Sequence, residues 1–234
     1  MKKHVVIAIP AYEGTVHCAT MHAIVYDVAA LLQRGDHAQV TSDVGNADIA
    51  RCRAGIVAKF LSSKATHLVM VDHDVAWQPG SILKLVDSGV DFVAGAYPKR
   101  TDDNPGFHLT MRSGEVQSLD LKTGLFEVEG VPAGFLCLTR TALERMVKGY
   151  PETKFSFREL AGGVAHDLFD AYWITDEAGL RHKLGEDYSF CRRWRDLGGK
   201  VYCDPSIGMA HIGMKTWTGR LCDEFRAVPE TEAA

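Results

Sequence analysis

The segment HLVMVDHDVAW, residues 67–77, is an apolar run that ends in two carboxylates two positions apart. In an extended segment the side chains at i and i+2 leave the backbone on the same side. Asp72 and Asp74 therefore converge, with His73 between them. Two such carboxylates make a hard oxygen site suited to Mn2+ or Mg2+. For an isolated D-x-D the alternative is a capping aspartate beside a solvated one. A position just after a buried strand favours the ligand site, because parallel sheets bind ligands beyond the carboxyl ends of their strands.

A second acidic pair, Glu186 and Asp187, opens the helical segment in GEDYSFCRRW. Acids in a first turn are favoured by the helix dipole alone, and a carboxylate there can equally serve as a general base. His211, in MAHIG, follows a short strand and the turn at Asp204 and Pro205, with small neighbours that leave room for a ligand. A lone histidine is more often structural. Arg51 and Arg53, in NADIARCRAG, carry guanidinium forks suited to phosphate. Positions i and i+2 of a helix diverge, so one of the two is expected at a ligand and an exposed helix face remains the alternative for both.

The elements that position these residues alternate. Strands are predicted at Val5 to Ile9, His37 to Thr41, His67 to Val71 and Asp91 to Ala96, and helices at Thr15 to Arg34, Asn46 to Leu61 (capped by Asn46 or Asp48) and Pro79 to Ser88. The order implies an α/β domain with a mostly parallel sheet and helices on both faces. After Tyr97 the texture becomes mixed and more antiparallel. Short β-like pieces fall around His108 to Arg112, Glu115 to Leu121 and Leu125 to Val128. A strand is expected at Phe135 to Thr139, helices at Thr141 to Lys148 and Glu186 to Leu197, and a last strand at Lys200 to Cys203. Residues 149–181 and 213–234 show no clean period and could order over a ligand.

With 234 residues and 46% apolar side chains, the chain can form one sizeable core. Six scattered cysteines without a C-x-x-C pair indicate neither a zinc knuckle nor a disulfide framework. A net charge of −4 gives no global field for nucleic acid. No stretch approaches the roughly 18 apolar residues of a membrane span, so a cytoplasmic protein without an integral membrane segment is expected, with a bacterial or phage-infected cell as a compatible setting.

In order, the N-terminal β-P-x-Y segment, VDHDV, VAGAYPKR, PAGFLCLTR, GEDYSFCRRW and AHIG resemble GT-A glycosyltransferases related to family 2, from about Val5 to Gly213. The resemblance implies a single GT-A domain over 1–234, with a Rossmann-like central sheet and a smaller antiparallel acceptor-side part. Residues of about 1–97 would bind a nucleotide sugar, about 98–213 would face the acceptor, and 214–234 would form a tail or lid. It further implies that Asp72 lies near the ribose or metal, that Asp74 is the direct metal ligand, that His73 is the variable middle position and that His211 is an added metal ligand. Asp187 would be the base and Glu186 would position it or the acceptor.

Around that centre, the base of a UDP-sugar would be gripped by Pro10, Ala11, Tyr12 and Glu13, although Tyr12 could instead simply pack. Arg51 or Arg53 would contact the donor. Ala133 and Gly134 would leave space for the sugar. Lys99 and Arg100 would face phosphates or acceptor, or solvent. Lys215 and Trp217 would close over the diphosphate, a packed tail being the alternative. The implied reaction is metal-dependent, inverting sugar transfer to a hydroxyl of a glycan, a lipid-linked sugar, a protein or a modified nucleobase in DNA. A nucleotidyltransferase, or a non-catalytic module that binds nucleotide sugar or glycan, is the alternative. The loop IPAYEGT lacks the glycine-rich signature of the former.

Overall fold

The continuous apolar runs become strands buried on both faces, the condition that removes polar alternation from a strand. β1 (His4–Ala11) leads through α1 (Cys18–Gln33), β2 (His37–Val44) and α2 (Ile49–Ser62) to β3 (His67–Val71). Then come β4 (Val75–Trp77), α3 (Ser81–Asp87), β5 (Phe92–Ala94), β6 (Phe126–Val128), β7 (Phe135–Thr139) and α4 (Arg140–Gly149). Two hairpins follow, β8 (Lys154–Ser156) with β9 (Val164–His166) and β10 (Trp173–Thr175) with β11 (Arg181–Lys183). The chain continues through α5 (Glu186–Asp196), β12 (Val201–Cys203), β13 (Met209–Ile212) and β14 (Thr216–Gly219). The computed structural model describes residues 2–101, 106–112, 119–120, 122–160 and 162–224.

The central sheet has the order β2-β1-β3-β7-β5-β12-β6. Its pairings make β2, β1, β3, β5 and β12 run one way, while β7 and β6 run against them. Alternate residues of β1 enter two cores. Val5, Ile7 and Ile9 pack with Ala23, Ile24 and Leu31 of α1, and Val6 and Ala8 pack with Cys52, Ile56 and Phe60 of α2. Strands β6, β7 and β12 come from the second half of the chain, so both halves share this sheet. Among the described residues no helix is long and apolar enough to cross a membrane.

Several boundaries differ from the sequence reading. α2 begins at Ile49 rather than Asn46, with Asp48, one of the two expected caps, accepting from the Arg51 amide through Oδ1 at 3.2 Å. Pro79 does not open α3, which starts at Ser81 after Gly80 in the left-handed region at φ 88°. The buried Asp27 of α1 instead secures that turn, accepting from Trp77 Nε1 at 2.8 Å, the Ile82 amide at 2.9 Å and the Gly80 amide. The aperiodic stretch 149–181 contains β8, β9 and β10, with β11 beginning at its last residue, and β14 extends from the tail to pair with β13. Around His108 to Arg112, among the described residues, the pairing consists of isolated bridges, Pro98 with Phe107 and Thr110 with Gly130. Most of the piece expected at Glu115 to Leu121 lies outside the described residues.

Candidate active site

The Asp72 to Asp74 cluster sits where β3 leaves the core. The Asp72 amide donates to Gly134 O at 2.9 Å, and the Val75 amide donates back to Asp72 O at 3.3 Å, turning the chain into β4. β13 lies antiparallel on β4 with His211 opposite Val75. The Ile212 amide donates to Asp74 O at 2.8 Å. Backbone pairing across more than a hundred residues thus delivers His211 to the acidic cluster.

Arg53 of α2 ties this strand end to α5. Its side chain is 3% exposed, with Nη2 3.0 Å from Asp72 Oδ1 and Nη1 3.1 Å from Glu186 Oε1 while also bonding Asp187. Its Nε is buried without a partner. One guanidinium holds three carboxylates, so the cluster keeps an excess of negative charge. Burial pushes the Asp187 carboxyl up to about 6, with Glu186 and Asp72 adding to the rise while Arg53 and the Ala133 amide oppose it. A carboxylate tuned toward neutrality in a polar cluster is suited to take a proton.

Tyr97 completes the floor. Its ring meets that of His211 edge-on at 4.8 Å and that of His108 at 5.5 Å. Burial, then Asp72 and Asp187, push its phenol well above the ordinary value. The carbonyl of Pro98 can only accept, so His211 Nδ1, at 2.9 Å, carries the proton and leaves Nε2 as the basic nitrogen. Burial is the main cause that moves His211 downward, favouring neutral imidazole. Tyr97 escaped the residue-type reading because a tyrosine just past an apolar strand looks like core.

Gly134 lies against the acidic cluster. A Cβ there would lie 2.5 Å from both Asp72 Oδ2 and Tyr97 Oη, so the missing side chain is what allows these two groups to sit together. Gly134→Ala is expected to displace both, costing about 1–3 kcal/mol of stability by overpacking and most of any activity. Paired denaturation and activity measurements check this, and unchanged activity would show that the close approach is dispensable.

The remaining expected residues separate. Asp74 pairs with Arg100, which places Arg100 at the acidic cluster. His73 stacks on His17 with ring centroids 6.1 Å apart. Pro10 is buried while Tyr12 and Glu13 are exposed at the end of β1. Arg51 points away from Arg53, pairing with Glu159 at 3.2 Å and lying over Phe155 and Phe157. Arg53 is engaged with carboxylates, so in this arrangement its fork is directed inward. Trp217 lies opposite His211 across β13 and β14, with Lys215 Nζ 5.1 Å from its ring centre.

Two carboxylates and an imidazole nitrogen are the donor types that a hard divalent cation takes. Among the described residues no three His, Cys, Asp or Glu side chains are gathered as a metal-binding group. Arg53 and Arg100 engage Asp72 and Asp74. The donor chemistry fits a cation, whereas the arrangement has arginine in its place. A polar cleft of about 460 Å3 lies between Asp43, Val44, Asn46, Arg51 and Glu159, beside the Tyr12 loop. An apolar cleft of similar volume beside Trp77, Met209 and Thr218 contains none of the four carboxylates.

Among solved structures the chain aligns with A197 from STIV over 90% of its own length and 86% of that chain, at 18% identity and a TM-score of 0.51. The two share a fold. The architecture is GT-A-like: a mostly parallel seven-stranded sheet, flanking helices and small antiparallel sheets. A glycosyltransferase involved in the glycosylation of the major capsid of PBCV-1 aligns over 63% of this chain and 65% of its own, at 12% identity and a TM-score of 0.32, a likeness too loose to carry an argument. No protein-family profile and no curated protein matches the sequence.

Proposed function

We propose that this chain is a glycosyltransferase that moves a sugar from a nucleotide diphosphate donor, UDP-linked, to a hydroxyl acceptor, with Asp187 as the base. The supporting observation is the meeting of Asp72, at the end of a buried strand, with Glu186 and Asp187 of α5 on the buried guanidinium of Arg53. The donor base occupies the polar cleft beside Tyr12 and Glu13, which directs the diphosphate toward Asp72 and Asp74. Asp187 takes the acceptor proton as the hydroxyl oxygen bonds to the anomeric carbon. The bond from that carbon to the donor phosphate breaks, and its electron pair leaves with the nucleoside diphosphate. Attack opposite the leaving group inverts the anomeric centre.

Asp72, Asp74 and His211 would hold Mn2+ or Mg2+, which would supply positive charge for the leaving diphosphate. The pairing of Arg100 with Asp74 favours a second reading of the same site, in which Arg100 supplies that charge. The test is release of free nucleoside diphosphate from a panel of nucleotide sugars and acceptors, with Mn2+ or with EDTA. Release lost in EDTA supports the metal reading, and release retained in EDTA supports Arg100. Pyrophosphate release would instead mark a nucleotidyltransferase, and tight binding without turnover would mark a binding module.

A further inference from the structure

The Tyr97 hydroxyl stands at the acidic cluster without a partner. The residue is 6% exposed, and edge contacts to His211 and His108 hold its ring in place. Among the described residues no group hydrogen-bonds its oxygen, Asp72 included. The fully enclosed side-chain atoms that lack a partner there are Thr20 Oγ1, Arg53 Nε and Asp167 Oδ1. Tyr97 Oη is not one of them, so the small exposure of the residue reaches the oxygen. Leaving such a hydroxyl unpaired costs about 1–3 kcal/mol, which a ligand that bonds it would recover.

Asp72 supplies the complementary group. Its Oδ1 is taken by Arg53 at 3.0 Å, and its Oδ2 turns toward Gly134 and Tyr97. The place of the missing Gly134 Cβ lies 2.5 Å from Asp72 Oδ2 and 2.5 Å from Tyr97 Oη, so the two oxygens are at most twice that distance apart. One ligand oxygen about 2.7–2.8 Å from each fits such a spacing. Burial, with Asp72 and Asp187 adding, pushes the phenol well above its ordinary value, so Tyr97 keeps its proton and donates, while the carboxylate accepts. A ligand oxygen that accepts from a phenol and donates to a carboxylate belongs to an alcohol, because phosphate and carbonyl oxygens have no proton to give.

We infer that Tyr97 Oη and Asp72 Oδ2 together hold one hydroxyl of the transferred sugar, which makes Tyr97 a donor-specificity residue. The inference rests on the nucleotide-sugar reading above. The sugar is favoured over the ribose by position. Asp72 shares the Arg53 guanidinium with Asp187, which puts the pair beside the proposed base, whereas the cleft given to the nucleotide base lies at Asp43 to Asn46. A carboxylate oxygen has two lone pairs, so this contact leaves Asp72 able to meet a cation as well. A sugar that lacks the hydroxyl leaves both protein groups unpaired, the condition under which a hydrogen-bonding site discriminates most strongly.

The test measures binding to the full chain by titration calorimetry, which needs no turnover. Tyr97→Phe keeps the ring and removes only the oxygen. UDP, UDP-glucose, UDP-galactose and UDP-N-acetylglucosamine are titrated into both proteins, followed by each monodeoxy analogue of the tightest-binding nucleotide sugar. The variant is expected to bind that nucleotide sugar about 5–10-fold more weakly, the worth of one hydrogen bond, and to bind UDP as the wild type does. One monodeoxy analogue should bind the two proteins alike, which identifies the hydroxyl held. Equal affinity of the two proteins for the intact nucleotide sugar, an equal loss with UDP, or a difference that survives removal of every sugar hydroxyl in turn would overturn the inference and leave the proposed donor standing. A wild type that binds no member of the panel would overturn the proposed donor, and the inference with it.

Discussion

Arg53→Ala is expected to lower the unfolding free energy by about 3–5 kcal/mol, the usual cost of removing one partner from a buried ion-pair cluster. The residue is 3% exposed and its two terminal nitrogens engage Asp72, Glu186 and Asp187. Its loss leaves three carboxylates facing one another across a partly dry space. Arg53→Lys should recover only part of the loss, since a point charge cannot span the fork that reaches Asp72 on one side and the α5 acids on the other. Lowering the pH should narrow the gap between variant and wild type, because protonation relieves the carboxylate repulsion. Urea denaturation at two pH values checks this. A loss under about 1 kcal/mol, the range of exposed pairs, would mean that the cluster is not held by Arg53.

Asp187→Asn is expected to reduce kcat by about 10²–10⁴-fold, the usual contribution of a positioned general base, with donor affinity unchanged. The wild-type rate should rise with pH through about 6 as the Asp187 carboxyl loses its proton, and that rise should be absent in the variant. Stability changes in the opposite direction. The carboxyl is raised from an ordinary value of 3.8, so the folded state holds this proton more tightly than the unfolded chain. The associated stabilisation is fully present below about pH 4 and is lost as pH rises through about 6. The same burial that would suit Asp187 to take a proton therefore disfavours its ionised form. A pH–rate profile and a pH series of melting curves on both proteins check the two signs together.

Much of the scaffold was legible because the strands that position Asp72 are buried on both faces, and continuous runs such as HLVMV have few other uses. What escaped was short or non-local. β4 has three residues and no period to detect, yet it pairs with β13 and brings His211 to Asp74. The α3 start was misread at Pro79 because its cap comes from Asp27, some fifty residues earlier in the sequence. The divergence of Arg51 and Arg53 followed from helix geometry. Which of them turned inward depended on α2 being buried almost continuously from Cys52 to Ala58, a consequence of tertiary packing. Gly134 was recognised as space-making, but its neighbours Asp72 and Tyr97 come from two other strand ends.

The division of roles at the acidic cluster is also clearer. Asp72 belongs with Arg53 and the α5 acids, whereas Asp74 faces Arg100 and the His211 strand. Two arginines stand where an incoming diphosphate or cation would meet the carboxylates. On the proposed function, substrate binding at this site would exchange ion pairs. Such an exchange makes affinity sensitive to salt at the exposed Arg100 pair and less so at buried Arg53.

The most direct test of transferase function is nucleoside diphosphate release by wild type and Asp187→Asn, measured side by side with a nucleotide-sugar panel and hydroxyl acceptors. The expected result is acceptor-dependent release by the wild type that falls by about 10²–10⁴-fold in the variant while donor binding persists. Equal release by the two proteins, or none by a wild type that still binds donor and acceptor, would contradict it.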